Sequence, residues 1–177
     1  MEYLSVSSGS SLTADLTSLP SDRPIVGASI SSAGSAVMKA SIEDLSVSSA
    51  ANLTLEGDVE NLSVSSASRL WMKGDIITSA SFSSNANAVL DGDMNGTFSV
   101  SSHSNLTAFG DLNAISSVSS DSTLVTYGNI LETVTASSSS TVIVSSESDC
   151  AFVVLSSGSK CVVMSDVTSI IEVNITA

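Results

Sequence analysis

Apolar residues return at a fixed interval along most of the chain. From Leu45 to Thr133 five segments follow one another head to tail, the first with 17 residues and the others with 18. Each segment has three apolar positions that lie six residues apart, bounded by Gly, Ser, Asn or Asp. The three columns are Val47, Val64, Phe82, Val100, Val118 and Ala136; Leu53, Leu70, Ala88, Leu106, Leu124 and Val142; and Val59, Ile76, Met94, Leu112 and Ile130. A weaker copy starts at Ala28 and a half-copy at Leu4.

This period predicts an all-β fold, a single-stranded parallel β-helix (triangular β-solenoid) with about 18 residues and three short strands per coil. An α-solenoid needs periods of about 33 to 47 residues and a propeller blade needs about 40, so neither fits. Equivalent strands of successive coils would stack about 4.8 Å apart, so about eight or nine coils would form a rod on the order of 40 Å long. The pattern leaves the handedness of the helix open.

Alternation inside the segments indicates which side chains face the core. Leu62 and Val64 are expected to point inward, and Ser63 and Ser65 outward. Small inward residues such as Ala88 suit a narrow core, which agrees with an aromatic content of only 4%.

We expect one β-solenoid domain over residues 1–177, with two departures from the regular repeat. Residues 16–27 contain both prolines and are predicted to form a loop extruded between the first two coils. Residues 28–145 hold the regular coils. Residues 146–177 are more apolar and resume the repeat after one extra residue, so their register should be shifted.

Charge and hydropathy restrict the class of function. Five Lys plus Arg against eighteen Asp plus Glu give a net charge of −13, which argues against nucleic-acid binding because such proteins neutralise phosphates with basic residues. A hydrophobic content of 42% argues against disorder. The chain contains no run of 18 apolar residues, and we expect no membrane span.

The first residues, MEYLSVSSGSSL, have neither the basic nor the apolar region of a Sec signal peptide. We therefore expect either release into a virion or extracellular assembly by another route, or retention in the cytoplasm. Cys150 and Cys161 are too few for a disulfide framework. They are interpreted as two reduced thiols, with a single disulfide as the alternative.

His103 is the one histidine and therefore the first candidate for a general base. It occupies a turn position where other segments have Ala67, Asn85 and Asp121, which favours an exposed corner residue. No spacing of Ser, His and Asp supports a catalytic triad. We predict no catalytic residue, no cofactor and no enzymatic activity.

Four aspartates follow glycine at one corner of successive coils. In a stacked solenoid these carboxylates would form a ladder about 4.8 Å apart. We interpret them as capping the corner through hydrogen bonds. A row of Ca²⁺ ions is the alternative, because Ca²⁺ prefers oxygen ligands. The residues are Asp58, Asp75, Asp93 and Asp111.

Outward serine pairs recur on the first face, as in Ser63/Ser65 and Ser99/Ser101. Flat hydroxyl ladders resemble the Thr-x-Thr faces of ice-binding proteins. Serine lacks the threonine methyl group, so a neutral, soluble or packing face is the simpler interpretation.

The second face carries the predicted interface. Its outward positions form a stripe of apolar and aromatic residues, and such stripes are typical of partner surfaces. A loop or terminus folding over the stripe is the alternative. We expect a homo-oligomer, either a symmetric trimer or a head-to-tail polymer, or contact with other structural proteins. The interface residues are Trp71, Val89, Phe109, Val125, Tyr127 and Ile143.

The units LEGDV, MKGDI, LDGDM, AFGDL and TYGNI resemble those of bactofilins, bacterial cytoskeletal β-helices that polymerise end to end without nucleotide. They are also similar to the Gly-Asp repeats of GIN-type adhesin head domains. Spacing alone also suits the hexapeptide β-helix of acyltransferases.

The sequence favours a non-enzymatic structural assembly subunit, such as a phage decoration or fibre protein. A bactofilin-like cytoplasmic scaffold is the alternative, and an adhesin or ice-binding module is the third.

Overall fold

The computed structural model describes residues 2–18, 25–145, 147–164 and 173–176. This part of the chain contains nineteen β-strands and no helix, so it has no helical segment able to span a membrane. In chain order the strands are β1 Glu2–Val6, β2 Ser11–Asp15, β3 Ile25–Ile30, β4 Ser35–Lys39, β5 Ile42–Val47, β6 Asn52–Glu56, β7 Val59–Val64, β8 Arg69–Lys73, β9 Ile76–Phe82, β10 Asn87–Asp91, β11 Met94–Val100, β12 Asn105–Ala108, β13 Leu112–Val118, β14 Thr123–Thr126, β15 Ile130–Ala136, β16 Thr141–Val144, β17 Cys150–Ser156, β18 Lys160–Val163 and β19 Val173–Thr176.

The strands form two parallel sheets. Sheet A contains the ten odd-numbered strands and sheet B the nine even-numbered strands, each in chain order. Every strand pairs with the equivalent strand of the next coil, as when Leu106 of β12 pairs with Leu124 of β14. This stacking confirms the predicted β-solenoid with about 18 residues per coil.

The number of strands per coil differs from the expected three. The predicted third and first segments run together as one strand of sheet A, for example β11 from Met94 to Val100. The alternation of buried residues changes inside these strands: the buried residues of β7 are Val59, Leu62 and Val64, and its register with β9 shifts between Val59 and Asn61. Because pairing with the neighbouring coil resumes within the same strand, each coil has two strands.

The core lies between the two sheets and follows the predicted alternation. Leu62 and Val64 from sheet A, and Leu70 and Met72 from sheet B, are buried. Full burial of a side chain such as Leu contributes about 1.5 to 3 kcal/mol. Because each coil repeats this arrangement, the hydrophobic core is continuous along the stack.

Each coil turns from sheet A into sheet B through two successive residues with positive φ. In one such turn Ser66 has φ 56° and Ala67 has φ 62°, and the Ser68 N–H donates to the Ser65 carbonyl across 3.3 Å. Two residues with positive φ define the type I′ turn. The first of them is a serine in every described coil: Ser8, Ser32, Ser49, Ser66, Ser84, Ser102, Ser120, Ser138 and Ser157.

The ladder of backbone hydrogen bonds continues through these turns. The N–H of Ala67 donates to the carbonyl of Ser84 in the next coil, and Asn85 donates to Ser102 in the same way. A non-glycine residue in this conformation costs about 1 to 2 kcal/mol. The hydrogen bonds between coils offset that strain, and serine is small enough to repeat at every corner.

The two predicted irregularities fall partly outside the described residues. Of the predicted loop 16–27, residues 19–24 lie outside them, whereas Ile25, Val26 and Gly27 belong to β3. Toward the other end Thr141 pairs with Lys160, nineteen positions further on, whereas Leu124 pairs with Val142 after eighteen. Residues 146, 165–172 and 177 are likewise not described.

Candidate assembly surface

One column of side chains runs along the middle of the outward face of sheet B, with one residue from each strand. We call it the central column. Each residue pairs with the next in strand register, so the column follows the solenoid axis. It contains Thr13, Val37, Thr54, Trp71, Val89, Thr107, Val125, Ile143 and Val162.

Every residue of the central column carries a methyl group or an aromatic ring. Trp71 is 43% exposed and Val37 is 49% exposed, whereas Val89, Val125 and Ile143 are half-buried by their neighbours. The structure therefore places four predicted interface residues, Trp71, Val89, Val125 and Ile143, in one uninterrupted column.

The other two predicted residues, Phe109 and Tyr127, lie beside the central column toward the Gly-Asp corner. Their rings stack with centroids 4.9 Å apart and planes 10° from parallel. The stack follows from the fold, because the Tyr127 N–H donates to the Ala108 carbonyl of the preceding coil and fixes the two positions one strand apart. Both rings remain nearly half exposed, so the pair presents aromatic surface on the outside of the solenoid.

The same lateral position carries alternating charges in the earlier coils. We call this row the charged column: Asp15, Lys39, Glu56, Lys73 and Asp91. Lys39 Nζ lies 2.8 Å from Glu56 Oε2, and this hydrogen bond raises the pKa of Lys39. Within the described residues, neither Lys73 nor Asp91 forms a salt bridge.

Among the described residues, the Lys and Arg side chains are confined to sheet B. Every Lys and Arg of the described residues lies on its strands: Lys39, Arg69, Lys73 and Lys160. Sheet B also carries Asp15, Glu56 and Asp91, so its two signs nearly balance. The remaining described surface bears acidic residues without a Lys or Arg, among them Glu43, Asp44, Glu60, Asp121, Glu132, Glu147 and Asp149. Sheet B is consequently the face on which two copies of this acidic chain repel each other least.

A shallow groove runs on the other side of the central column. It is lined by Trp71 and Val89 of that column and by the polar residues Asn52, Arg69 and Asn87. The row continues with Asn105, whose Nδ2 donates to Asn87 Oδ1 across 3.1 Å. Sheet B is therefore apolar in the middle, with amides on one side and charges or aromatic rings on the other.

The predicted aspartate ladder forms hydrogen bonds between coils. Asp58 Oδ1 accepts from the Asp75 N–H at 2.9 Å, and Asp75 and Asp93 each accept from the next aspartate at 2.8 Å. Asp111 continues the series by accepting from the Asn129 N–H at 2.8 Å. These bonds support a corner-capping role. The described residues contain no group of three or more acidic, His or Cys side chains placed to hold a metal ion.

The remaining candidates lie apart from sheet B. His103 occupies an exposed positive-φ corner, with Nε2 3.7 Å from Asp121 Oδ2 at the same corner of the next coil. Cys150 is buried, Cys161 is half-buried, and both are free thiols. The outward serines of sheet A stack in register, as Ser63, Ser81 and Ser99 show.

Two features of the surface were not apparent from the sequence. Sheet A also exposes apolar residues: Ile115, which is 62% exposed, pairs with Thr97, and Phe152 pairs with Thr133, so a column of this kind spans fewer strands than in sheet B. The charged column begins with Asp15, Lys39 and Glu56, which lie in or beside the less regular first coils; aligning those copies with the later ones would have revealed it.

Comparison with protein-family models, with curated proteins and with solved structures gives no match for this chain.

Proposed function

We propose that this chain is a non-enzymatic structural subunit that assembles through the outward face of sheet B. One observation carries the proposal: six of the nine residues of the central column are apolar, the other three are threonines, and the column lies on the one described face where basic residues nearly balance acidic ones. Continuous exposed apolar surface on a soluble fold favours a partner. Trp71, Phe109 and Tyr127 add the residue types that are enriched in interfaces.

The assembly that fits this chain best is a virion or extracellular fibre. Its regular hydroxyl-rich corners suit a rigid rod, and the near balance of charge on sheet B allows that rod to pack against copies of itself. Both sheets are parallel and continuous, so the rod is stiffened by backbone hydrogen bonds along its length. The rod supplies a flat face of fixed spacing, and sheet B supplies the contact.

A bactofilin-like cytoplasmic scaffold is the second candidate. The observation in its favour is the Gly-Asp corner, whose aspartates bond successive coils in the units that resemble bactofilins. In that function the sheets would continue from one copy into the next, so that filaments grow along the solenoid axis. Electron microscopy of negatively stained protein separates the two candidates, since discrete particles favour the first and unlimited unbranched filaments the second.

The contact surface is tested by a double substitution, Phe109→Ser with Val125→Ser. Both side chains point outward, so we expect the variant to keep its far-UV circular dichroism while losing self-association in sedimentation velocity. The matched control is Ile115→Ser, which removes a more exposed apolar side chain from sheet A. If the double variant, the control and the unmodified chain assemble equally, sheet B is not the contact surface.

A further inference from the structure

We propose that two copies of this chain pack sheet B against sheet B in antiparallel orientation, around a two-fold axis between β8 and β10. This inference rests on the proposed function and specifies the partner as a second copy. It follows from the order of charges along sheet B, because parallel and antiparallel packing of two copies bring different charges opposite each other.

In the parallel orientation the two-fold axis runs along the solenoid, and pure rotation allows no shift along that axis. Each strand then faces the same strand of the other copy, with its two outer columns exchanged. Arg69 and Lys73 occupy the two ends of β8, so each Arg69 would face a Lys73. A parallel trimer brings the same two columns together at the same height. Both arrangements therefore place like charges opposite each other.

In the antiparallel orientation each column faces the same column of the other copy, with the order of its residues reversed. The charged column alternates in sign, so an axis between two strands places every charge opposite a charge of the other sign or opposite an uncharged residue. An axis through one of the strands β2 to β10 instead places a charge against its own copy, such as Lys73 against Lys73. The alternation thus favours an axis between two of these strands.

The unpaired charges select the axis between β8 and β10. With that axis Lys73 faces Asp91 of the other copy, and neither forms a salt bridge within the described residues. Asp15, the third unbridged member of the charged column, already accepts hydrogen bonds from the backbone N–H and the hydroxyl of Thr17. The Lys39–Glu56 pair then lies against the Phe109–Tyr127 ring stack, with Lys39 opposite Tyr127, an arrangement suited to a cation–π contact.

The apolar side chains fit the same axis. Trp71 at the centre lies against Val89 of the other copy, and Val37 lies against Val125. A tryptophan near the centre of an interface is typical of the residues that contribute most to binding. Eight of the nine strands of sheet B overlap, from β2 to β16. At about 4.8 Å per strand and 3.3 Å per residue, this is roughly 600 Å² for each copy, or about 1,200 Å² in total, at the lower limit for a specific interface.

Charge reversal at Lys73 distinguishes the two orientations by sign. In the antiparallel dimer Lys73→Glu brings a negative charge opposite Asp91, so we expect the dissociation constant of the dimer to rise about tenfold at low ionic strength. Asp91→Lys should weaken the dimer similarly, and the double variant Lys73→Glu/Asp91→Lys should restore it. In a parallel dimer or trimer Lys73→Glu would face Arg69 and strengthen the association.

The measurement is sedimentation equilibrium of the full chain and its variants at low and physiological ionic strength. Lys160→Glu is the matched control, because it makes the same change in net charge on β18, outside the overlap, and should leave the dissociation constant unchanged. Circular dichroism checks that each variant is folded. A chain that stays monomeric at all concentrations overturns the proposed function as well. Self-association that Lys73→Glu strengthens or leaves unchanged overturns the antiparallel dimer alone.

Discussion

The backbone N–H of Asp93 donates a 2.8 Å hydrogen bond to Oδ1 of Asp75, the residue at the same corner of the preceding coil. The side chain of Asp93 accepts in turn from the Asp111 N–H. Each aspartate thus satisfies a backbone donor that the corner would otherwise leave without a protein partner. This ladder connects the coils at the corner where sheet B passes into sheet A.

Substitution of Asp93 tests the contribution of this ladder to stability. Asp93→Ala removes the acceptor for the Asp111 N–H, and we expect it to lower the free energy of unfolding by about 1 to 2 kcal/mol in urea denaturation. Asp93→Asn is the control, because it keeps an oxygen acceptor as Asn129 does for Asp149, and it should cost less than half as much. Equal losses for the two variants would assign the effect to charge and not to the hydrogen bond.

Chelation tests the alternative role of the same carboxylates. Since one oxygen of each aspartate already bonds a backbone N–H, we expect EDTA to leave the thermal midpoint of unfolding unchanged. The measurement is differential scanning calorimetry with EDTA and with added Ca²⁺. A midpoint that rises with Ca²⁺ and falls with EDTA would show that the ladder binds cations in addition to forming these hydrogen bonds.

The glycine preceding each aspartate is required by close packing between coils. A methyl group at Gly110 would collide with the carbonyl oxygen of Gly92 in the preceding coil. We expect Gly110→Ala to destabilise the chain by several kcal/mol, in the range of severe single substitutions, or to prevent folding. Gly9→Ala is the control, because the added methyl group has no atom within 4 Å there, although φ is positive at Gly9 and not at Gly110. Its cost should be limited to about 1 to 2 kcal/mol of backbone strain.

The fold was predictable because the alternation of apolar residues and the 18-residue period both indicate which residues face the core. Leu70 and Met72 are examples of such residues. The strand count was not predictable, because β11 continues through Gly96, whose positive φ would be expected to end a strand, while pairing with β13 is unbroken. The positive-φ corners were missed because serine does not favour that conformation by itself. Their one signal was a Ser-Ser pair at the same place in most coils, for example Ser65 and Ser66.

The candidate surface could be predicted in part. Outward positions of regular coils followed from alternation, so Trp71 and Val125 were assigned to one face correctly. The balance of charge on that face was not predicted, because it depends on Lys39 and Glu56 stacking in register with Lys73 across coils of unequal length. The register of pairing between coils is a property of the folded chain, and it cannot be predicted from the sequence of a single segment.

The serine corners lead to a test of backbone strain. Ser102 has φ 56° and accepts, through its carbonyl, a hydrogen bond from the Asn85 N–H. Ser102→Val should cost about 1 to 2 kcal/mol, because a β-branched residue is least compatible with positive φ. Ser102→Gly should be nearly neutral, since the relief of strain is offset by a more flexible unfolded chain. Urea denaturation measures both. Similar losses for valine and glycine would point to the serine hydroxyl instead of the backbone conformation.

The buried thiol of Cys150 gives a prediction for high pH. Burial, and to a smaller extent the neighbouring Cys161, raises the pKa of Cys150 from 9.0 to about 11. The folded chain therefore holds this proton more tightly than the unfolded chain, and the associated stability is complete below pH 9 and lost as the pH rises toward 11. We expect the free energy of unfolding to fall across this window by less in Cys150→Ala than in the unmodified chain. We also expect a thiol reagent to modify Cys150 slowly at neutral pH until denaturant is added, because the thiolate is the reactive form. Fast modification of the folded chain, or identical pH profiles for the two proteins, would contradict a buried, protonated thiol.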